Sequence, residues 1–323
     1  MLLNKNMKIV FMGTPQFAVA TLGSLLANGF DVVGIVTTPD KPAGRGRKLQ
    51  KPEVKEFAEL NSISVLQPDN LKDTEFLTAL KSFNCDVFIV VAFRKLPEEV
   101  WKMPPLGTIN LHASLLPDYR GAAPINHAII NGETQTGVTT FFIDDKIDTG
   151  SVLLREELII SPFENAGELH DRLAKTGASL MVKTLHGIAD NNLKPQAQSL
   201  FITDGANLKT APKIFPKDCI IDWNQDVTHI HNFVRGLSPL PGARSLLKKN
   251  AGSLSFKILE SIPEHEEHNL SHGTIATDGK HYLKIACKDG FLNIISLQIE
   301  GRKRMETTEF LKGFRIEGYM VVS

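Results

Sequence analysis

The stretch Lys8-Ile-Val-Phe-Met-Gly-Thr-Pro15 decides the fold class: a short apolar run stops at a glycine and a turn. Apolar side chains then recur at helical spacing over Phe17–Leu26, and Asp31–Val36 has the composition of a second strand. A strand, a turn, a helix and another strand in this order are typical of a doubly wound parallel sheet. The sequence therefore predicts an α/β, Rossmann-like fold for its first part.

The same alternation continues to about Ala189. Further strands are predicted in Asp86–Val91, Thr108–His112, Val138–Ile143 and Ser151–Leu154. Further helices are predicted in Pro52–Asn61, Asp73–Phe83, Pro124–Asn131 and Glu164–Ala189. The first turn contains only Gly13 and lacks the glycine-rich fingerprint of a dinucleotide site, so neither NAD nor FAD is assigned.

The pattern changes after Ala189. The polar stretch Asn191–Lys213 contains prolines and has the composition of a linker. Beyond a helix near Val227–Val234, short segments alternate with turn signals, which is typical of a small β-barrel or sandwich; the segments are Gly252–Leu259, Gly273–Thr277, Tyr282–Ala286 and Leu292–Leu297. We therefore expect a catalytic domain over residues 1–205 and a C-terminal β-barrel domain over residues 206–323.

Composition excludes several classes of protein. The 36 basic and 36 acidic residues cancel, which argues against a non-specific nucleic-acid coat protein. No apolar run reaches the ~20 residues of a membrane span, and the start is too short and polar for a secretory signal. The three cysteines are far apart, so we expect reduced thiols in a cytoplasmic protein and no metal site. The charge is unevenly distributed in one segment, Lys41–Lys55, which contains six basic residues and one acid, Glu53.

Polar side chains at the end of a predicted buried strand mark a candidate active site. Asn110 and His112 are two residues apart, so they share one face of the strand at its carboxyl end, where open parallel sheets bind ligands. Asp148 lies in a tight loop ahead of another strand. The alternatives are that Asn110 and His112 only cap the strand and that Asp148 only forms a turn.

An amide, an imidazole and a carboxylate form a coherent catalytic set. Asn110 can donate a hydrogen bond to an oxyanion, His112 can move a proton near neutral pH, and Asp148 can fix the imidazole. No serine or cysteine occupies a nucleophile-elbow motif. The set therefore favours direct acyl transfer without a covalent intermediate.

The segment Asn110-Leu-His-Ala-Ser-Leu-Leu-Pro-Asp-Tyr-Arg-Gly-Ala-Ala-Pro124, followed by Asp148-Thr-Gly150, resembles the signature of the folate-dependent formyltransferases. Other motifs are similar to the branch of that family that acts on tRNA; they are Phe11–Phe17, the basic loop Pro39–Lys48, Arg235–Gly242 and Gly301–Met305. Two departures from the family pattern are Arg94, where a glycine is usual, and Arg244, where an aromatic residue is usual.

The resemblance implies that 10-formyltetrahydrofolate donates a formyl group to the amino group of methionine on initiator tRNA. Asn110 and protonated His112 would stabilise the tetrahedral oxyanion, and Asp148 would hold His112 and assist proton transfer. Six residues would form the folate site: Phe93, Leu96, Ser114, Leu115, Leu116 and Pro117. The Leu116–Pro117 turn beside a ligand predicts a cis peptide bond. Four basic residues would contact tRNA: Arg45, Arg47, Lys48 and Lys213.

Two alternatives remain open on the sequence. The acceptor could be an amino-sugar nucleotide or glycinamide ribonucleotide, although a small acceptor needs neither the basic loop nor a second domain. A non-catalytic RNA-binding relative is the other alternative, against which the intact Asn110, His112 and Asp148 argue. The protein is expected to be a monomer that does not bind membranes.

Overall fold

A computed structural model describes residues 7–43, 48–202, 207–250 and 252–322. The chain divides into two compact units. The first, here called the sheet unit, comprises Met1–Gly121, Thr136–Leu158 and His170–Thr210. The second, here called the barrel unit, comprises Ala122–Gln135, Ile159–Leu169 and Ala211–Ser323. The predicted domain boundary at residue 205 stays a prediction.

A seven-stranded sheet lies at the centre of the sheet unit within the described ranges. Its strands are β1 (Lys8–Gly13), β2 (Asp31–Val36), β5 (Val65–Leu66), β6 (Val87–Val91), β7 (Thr108–His112), β9 (Gln135–Phe142) and β10 (Val152–Ile159). Their order across the sheet is β10-β9-β7-β6-β1-β2-β5. Strands β7, β6, β1, β2 and β5 are parallel neighbours, which confirms the predicted fold class.

Strand β9 departs from the parallel pattern and runs antiparallel to β7. Parallel neighbours need a crossover connection packed against the sheet, whereas antiparallel neighbours do not. The helix that follows β7 in the chain belongs to the barrel unit and does not supply that crossover. The chain therefore enters β9 in the opposite direction.

Helices and short strands complete this half of the chain. The helices are α1 (Gln16–Ala27), α2 (Glu53–Leu60), α3 (Thr74–Ser82), α4 (Glu98–Trp101), α5 (Pro124–Ile130) and α6 (Ala166–Ala189). The short strands are β3 (Lys41–Ala43), β4 (Lys48–Gln50), β8 (Arg120–Gly121) and β11 (Thr210–Ala211). The predicted helices are confirmed to within a few residues. In the sheet unit, Phe76 and Leu80 of α3 belong to the same buried apolar cluster as Phe88 and Val90 of β6.

The barrel unit is an antiparallel, nearly closed sheet around an apolar core, which confirms the predicted barrel. In the part of the chain that the structure describes, its strands are β12 (Ala243–Lys249), β13 (Gly252–His265), β14 (Ile275–Thr277), β15 (Leu283–Ala286), β16 (Gly290–Ile299), β17 (Met305–Glu306) and β18 (Met320–Val322). Helices α7 (Val227–Leu237) and α8 (Thr307–Gly313) contribute Ile230, Val234 and Phe310 to the core.

The polar stretch after α6 is more structured than its composition suggests. Gln196 forms a bridge with Val152, and residues Gln198–Phe201 form a 3-10 turn. The side chain of Gln198 is buried. Gln196 and Gln198 therefore tie this otherwise largely exposed stretch to the rest of the sheet unit. Among the described residues, no helix combines the length and the hydrophobicity that crossing a membrane requires.

Candidate active site

Strand β7 presents the two polar side chains predicted from the sequence at the carboxyl edge of the sheet. Asn110 lies between Val90 of β6 and Phe141 of β9, and His112 is the last residue of the strand, opposite Thr139. The amide of Asn110 is partly exposed and has no hydrogen-bond partner among the described residues. It is therefore available to donate a hydrogen bond to a ligand.

His112 is buried and held by the turn that follows its own strand. Its Nε2 lies 2.9 Å from the carbonyl oxygen of Tyr119, and a carbonyl only accepts, so Nε2 carries the hydrogen. The other ring nitrogen, Nδ1, lies 3.8 Å from Oδ2 of Asp148. That separation lies within ion-pairing range and beyond a direct hydrogen bond. The ring orientation is thus fixed from one side, and Nδ1 faces the carboxylate.

Asp148 occupies a constrained position in the loop between β9 and β10. Its φ angle is +56°, a left-handed conformation that aspartate tolerates better than most residues. Its Oδ2 accepts a hydrogen bond of 3.0 Å from the backbone N–H of Gly121. Two residues on, a Cβ added to Gly150 would lie 1.7 Å from the carbonyl oxygen of Phe142. Backbone sterics and hydrogen bonding therefore position the carboxylate beside His112.

Gln198 is a site residue that sequence reasoning missed. Its amide nitrogen donates hydrogen bonds of 2.9 Å to the carbonyls of both Asp148 and Gly150. Its amide oxygen accepts from Nε and Nη2 of Arg120 at 3.1 and 2.6 Å. Arg120 precedes the glycine that donates to Asp148. One buried glutamine therefore ties together the two backbone segments that hold the carboxylate.

The turn after β7 contains four predicted folate-site residues. The Leu116–Pro117 peptide is cis, as the sequence predicts. Ser114 and Leu116 are fully buried, and Pro117 is also buried. The Ser114 hydroxyl donates to the carbonyl of Asp118 at 2.6 Å, and its own carbonyl accepts from Thr139. Apart from the half-buried Leu115, these side chains are enclosed and shape the loop, so any ligand contact from them would come through the backbone.

The end of β6 contains the other two predicted folate-site residues. Phe93 is half-buried and Leu96 is buried in the core of the sheet unit. Ala92, between β6 and Phe93, has a left-handed φ of +48°. Arg94 donates hydrogen bonds to the carbonyls of Pro68 and Asp69 at 2.7 and 2.9 Å. The arginine found in place of the usual glycine therefore anchors a neighbouring loop.

The basic loop has its base in the short hairpin of β3 and β4. Arg45 and Arg47 lie outside the described residues, and only the backbone of Lys48 is described. Two other cations of this segment are neutralised, because Lys55 pairs with Asp40 at 2.8 Å and Lys51 pairs with Glu59 at 2.6 Å.

Lys213, the fourth predicted tRNA contact, is exposed. Its ammonium lies 5.4 Å from the ring centroid of Phe215, a cation–π separation. The position is compatible with a phosphate contact, since the charge remains accessible to solvent.

Together the described groups provide a hydrogen-bond donor on Asn110, an imidazole on His112 and a carboxylate on Asp148 at one edge of the sheet. A donor of this type stabilises a developing oxyanion, and an imidazole beside a carboxylate transfers protons. These functional groups are the ones that an acyl-transfer site needs when it works without a side-chain nucleophile.

Comparison with known proteins agrees with this chemistry. The family model described as Formyl transferase matches residues 7–185, and the one described as Formyl transferase, C-terminal domain, matches residues 213–315. The chain therefore belongs to the formyltransferase family. Within the family, it is 52% identical over 309 residues to methionyl-tRNA formyltransferase of Flavobacterium johnsoniae, covering 96% of each chain. It is 50% identical to the protein of the same name from Bacteroides thetaiotaomicron, covering 98% of each.

Solved structures share the fold at low sequence identity. WlaRD, a sugar 3N-formyl transferase, superposes with a TM-score of 0.63 at 23% identity, over 92% of this chain and 99% of that one. HypX from Aquifex aeolicus, in complex with tetrahydrofolic acid, gives 0.63 at 19% identity, over 95% of this chain and 48% of that one. At these identities the likeness supports the fold alone.

Proposed function

We propose that this enzyme transfers the formyl group of 10-formyltetrahydrofolate to the α-amino group of methionine on initiator methionyl-tRNA, for use in translation initiation. The observation that carries the proposal is the identity of about half to methionyl-tRNA formyltransferases along nearly the whole chain. We further propose that it acts in the cytoplasm as a monomer.

Asn110 has the oxyanion role in this proposal. The amine attacks the formyl carbon, and the carbonyl oxygen becomes negative in the tetrahedral intermediate. The side-chain N–H groups of Asn110 are free to donate to that oxygen. Removing one such donor typically lowers the rate about 10²- to 10³-fold. Protonated His112 adds a positive charge near the same oxygen.

His112 and Asp148 handle the proton in this proposal. The attacking amine must lose a proton, and the departing folate nitrogen must gain one as the bond from carbon to that nitrogen breaks. Because the Tyr119 carbonyl engages Nε2, the Nδ1 atom that faces Asp148 is the position that exchanges the proton. Gly121 and Gln198 keep the carboxylate in place during this exchange.

The folate and tRNA sites are proposed from the motifs and their placement. The turn of Ser114, Leu115, Leu116 and Pro117, together with Phe93 and Leu96, would border the folate. Arg45, Arg47, Lys48 and Lys213 would contact phosphates of the tRNA. Lys51 and Lys55 are not part of this proposal, because each is already paired with an acid.

The direct test is to incubate the enzyme with 10-formyltetrahydrofolate and charged initiator tRNA and to measure formyl-methionyl-tRNA. We expect turnover with methionyl-tRNA, and loss of most of it when a charged elongator tRNA replaces the initiator. Parallel reactions with an amino-sugar nucleotide and with glycinamide ribonucleotide serve as controls. Formylation of either small acceptor, without product on tRNA, would contradict the proposal.

A further inference from the structure

The barrel unit has a row of polar side chains across three neighbouring strands. Arg244 of β12 is directly opposite Lys257 of β13, and Lys257 is directly opposite Gln298 of β16. The residues that flank the row in sequence, such as Ser245, Phe256 and Ile299, are buried in the interior. Because side chains alternate along a strand, Arg244, Lys257 and Gln298 share the outer face.

This row lines a cavity of about 250 Å³. Its other lining residues include Ser255, two positions before Lys257 on the same face, and Glu300. Liquid water occupies about 30 Å³ per molecule, so the cavity has room for a phosphate group with several waters. The site is concave and accessible, and its polar lining consists of the donors of Arg244 and Lys257, the mixed groups of Ser255 and Gln298, and one carboxylate, Glu300.

The two cations in the cavity are not neutralised by the protein. In the described ranges neither Arg244 nor Lys257 has a carboxylate within ion-pairing distance, and Nε of Arg244 is buried without a hydrogen-bond partner. Lys257 donates one hydrogen bond of 2.7 Å, to the carbonyl of Pro241. Like charges directly opposite each other in a sheet are destabilising. An anion bound between them would remove that repulsion and satisfy the buried N–H.

We propose that Arg244, Lys257, Gln298 and Ser255 form a binding site for a phosphate group. Arginine binds two phosphate oxygens in parallel, and lysine supplies a compact second charge. The Ser255 hydroxyl has no other partner among the described residues, and Gln298 donates one of its amide hydrogens to Arg302 while keeping the second. The position of Lys257 is set by its backbone contact and by packing against Gly242, where a Cβ would lie 2.8 Å from its Cδ.

Two sources could supply this group, a phosphodiester of the bound RNA or a free or small-molecule phosphate. The first source rests on the proposed function, whereas the second does not depend on it. The test uses wild type, Arg244→Gln and Lys257→Gln. The matched control is Lys280→Gln, which removes one exposed positive charge from the same barrel unit at the turn after β14.

The first measurement is the melting temperature in inorganic phosphate, with potassium chloride replacing it at equal ionic strength. Because a ligand that binds only the folded state stabilises it, phosphate should raise the melting temperature of wild type and Lys280→Gln. We expect the apparent affinity for phosphate to fall about tenfold or more in Arg244→Gln and Lys257→Gln. Circular dichroism without phosphate checks that the variants are folded.

The second measurement is the affinity for initiator tRNA as a function of salt. Log affinity for RNA decreases as log salt increases. If an RNA phosphate occupies the site, the magnitude of this slope should be smaller by about one in Arg244→Gln than in wild type. An unchanged slope with a lost phosphate effect would assign the site to a small phosphate. If neither measurement separates Arg244→Gln from Lys280→Gln, the proposal is overturned. A failed formylation assay would leave the phosphate measurement intact, so the two proposals fail separately.

Discussion

Among the described residues, each unit has one buried histidine. The two are buried to a similar degree, but the groups that surround their rings differ. His112 is 7% exposed and has a carboxylate 3.8 Å from Nδ1, whereas His231 is 6% exposed and has Ser261 3.1 Å from Nδ1 and Arg235 nearby. Burial first, and the Arg235 charge second, lower the pKa of His231 to about 4. Burial alone therefore does not mark a catalytic histidine. The neighbouring charge and the position at a sheet edge make the difference.

The largest expected effect comes from removing the imidazole of His112. We expect His112→Ala to lower kcat by about 10³-fold, within the usual range of 10²–10⁴ for a general acid–base group. Tetrahydrofolate binding should change little. His231→Gln is the matched buried histidine and should keep kcat at pH 7.5 within about twofold. Steady-state formylation assays compare the two, and substantial residual activity in His112→Ala would make His112 structural.

A smaller loss of activity is expected from a change that leaves Asp148 in place but removes a contact that positions its carboxylate beside His112. Gln198→Ala removes the donors to the carbonyls of Asp148 and Gly150, and misplacing a catalytic group by about 1 Å can cost about 10²-fold in rate. We therefore expect kcat to fall about 10- to 100-fold, with the KM for tRNA nearly unchanged.

Two variants sharpen the interpretation of Gln198. Gln198→Glu keeps an acceptor for Arg120 and loses the amide donors, so it should lower kcat about as much as Gln198→Ala. Ser199→Ala, at the exposed neighbouring position, should leave kcat unchanged. Normal kcat in Gln198→Glu would show that the donors to the Asp148 loop are not needed for positioning.

The smallest effect on activity is expected at His231. Its titration should instead have a measurable effect on the free energy of unfolding. Its folded-state pKa is depressed, so the unfolded chain binds the proton more tightly, and stability rises with pH between about 4 and 6.5. Wild type should therefore lose up to about 3 kcal/mol of unfolding free energy as pH falls through this window. Urea unfolding at pH 7 and pH 4.5 measures the change.

The controls for this stability effect lie on the same helix. His231→Gln should lose less unfolding free energy than wild type across the window, because the glutamine does not titrate. His229→Gln, at an exposed position of α7, should follow wild type. Identical pH dependence in all three proteins would contradict the account.

Much of the sheet unit follows from its sequence because local pattern and position coincide there. Asn110 and His112 share one face at the end of the predicted strand β7, so the pattern alone assigns them to the ligand-binding edge. Gln198 could not be assigned in this way, since it lies 50 residues from Asp148 in a polar stretch and acts through backbone carbonyls. The antiparallel β9 also escaped prediction, because alternation alone does not give strand direction.

The sequence predicted that the second unit is a β-barrel, but it did not predict all of the strands or how they pair. Strand β12 was missed because Arg244, Lys248 and Lys249 give it a charged composition that resembles a loop. The row of Arg244, Lys257 and Gln298 depends on the pairing register of three strands, which residue patterns do not specify. Sequence motifs locate groups that act within one segment, whereas sites assembled across strands require the fold.

The close approach of Gly150 to Phe142 has a consequence for engineering the acceptor range. Any side chain at position 150 would push apart the strands on both sides of the loop, and with them the carboxylate at position 148. A mutational library aimed at new acceptors should therefore hold Gly150 constant and diversify positions 145–147. Most sequences that vary position 150 would be lost to misfolding of the loop before their selectivity could be tested.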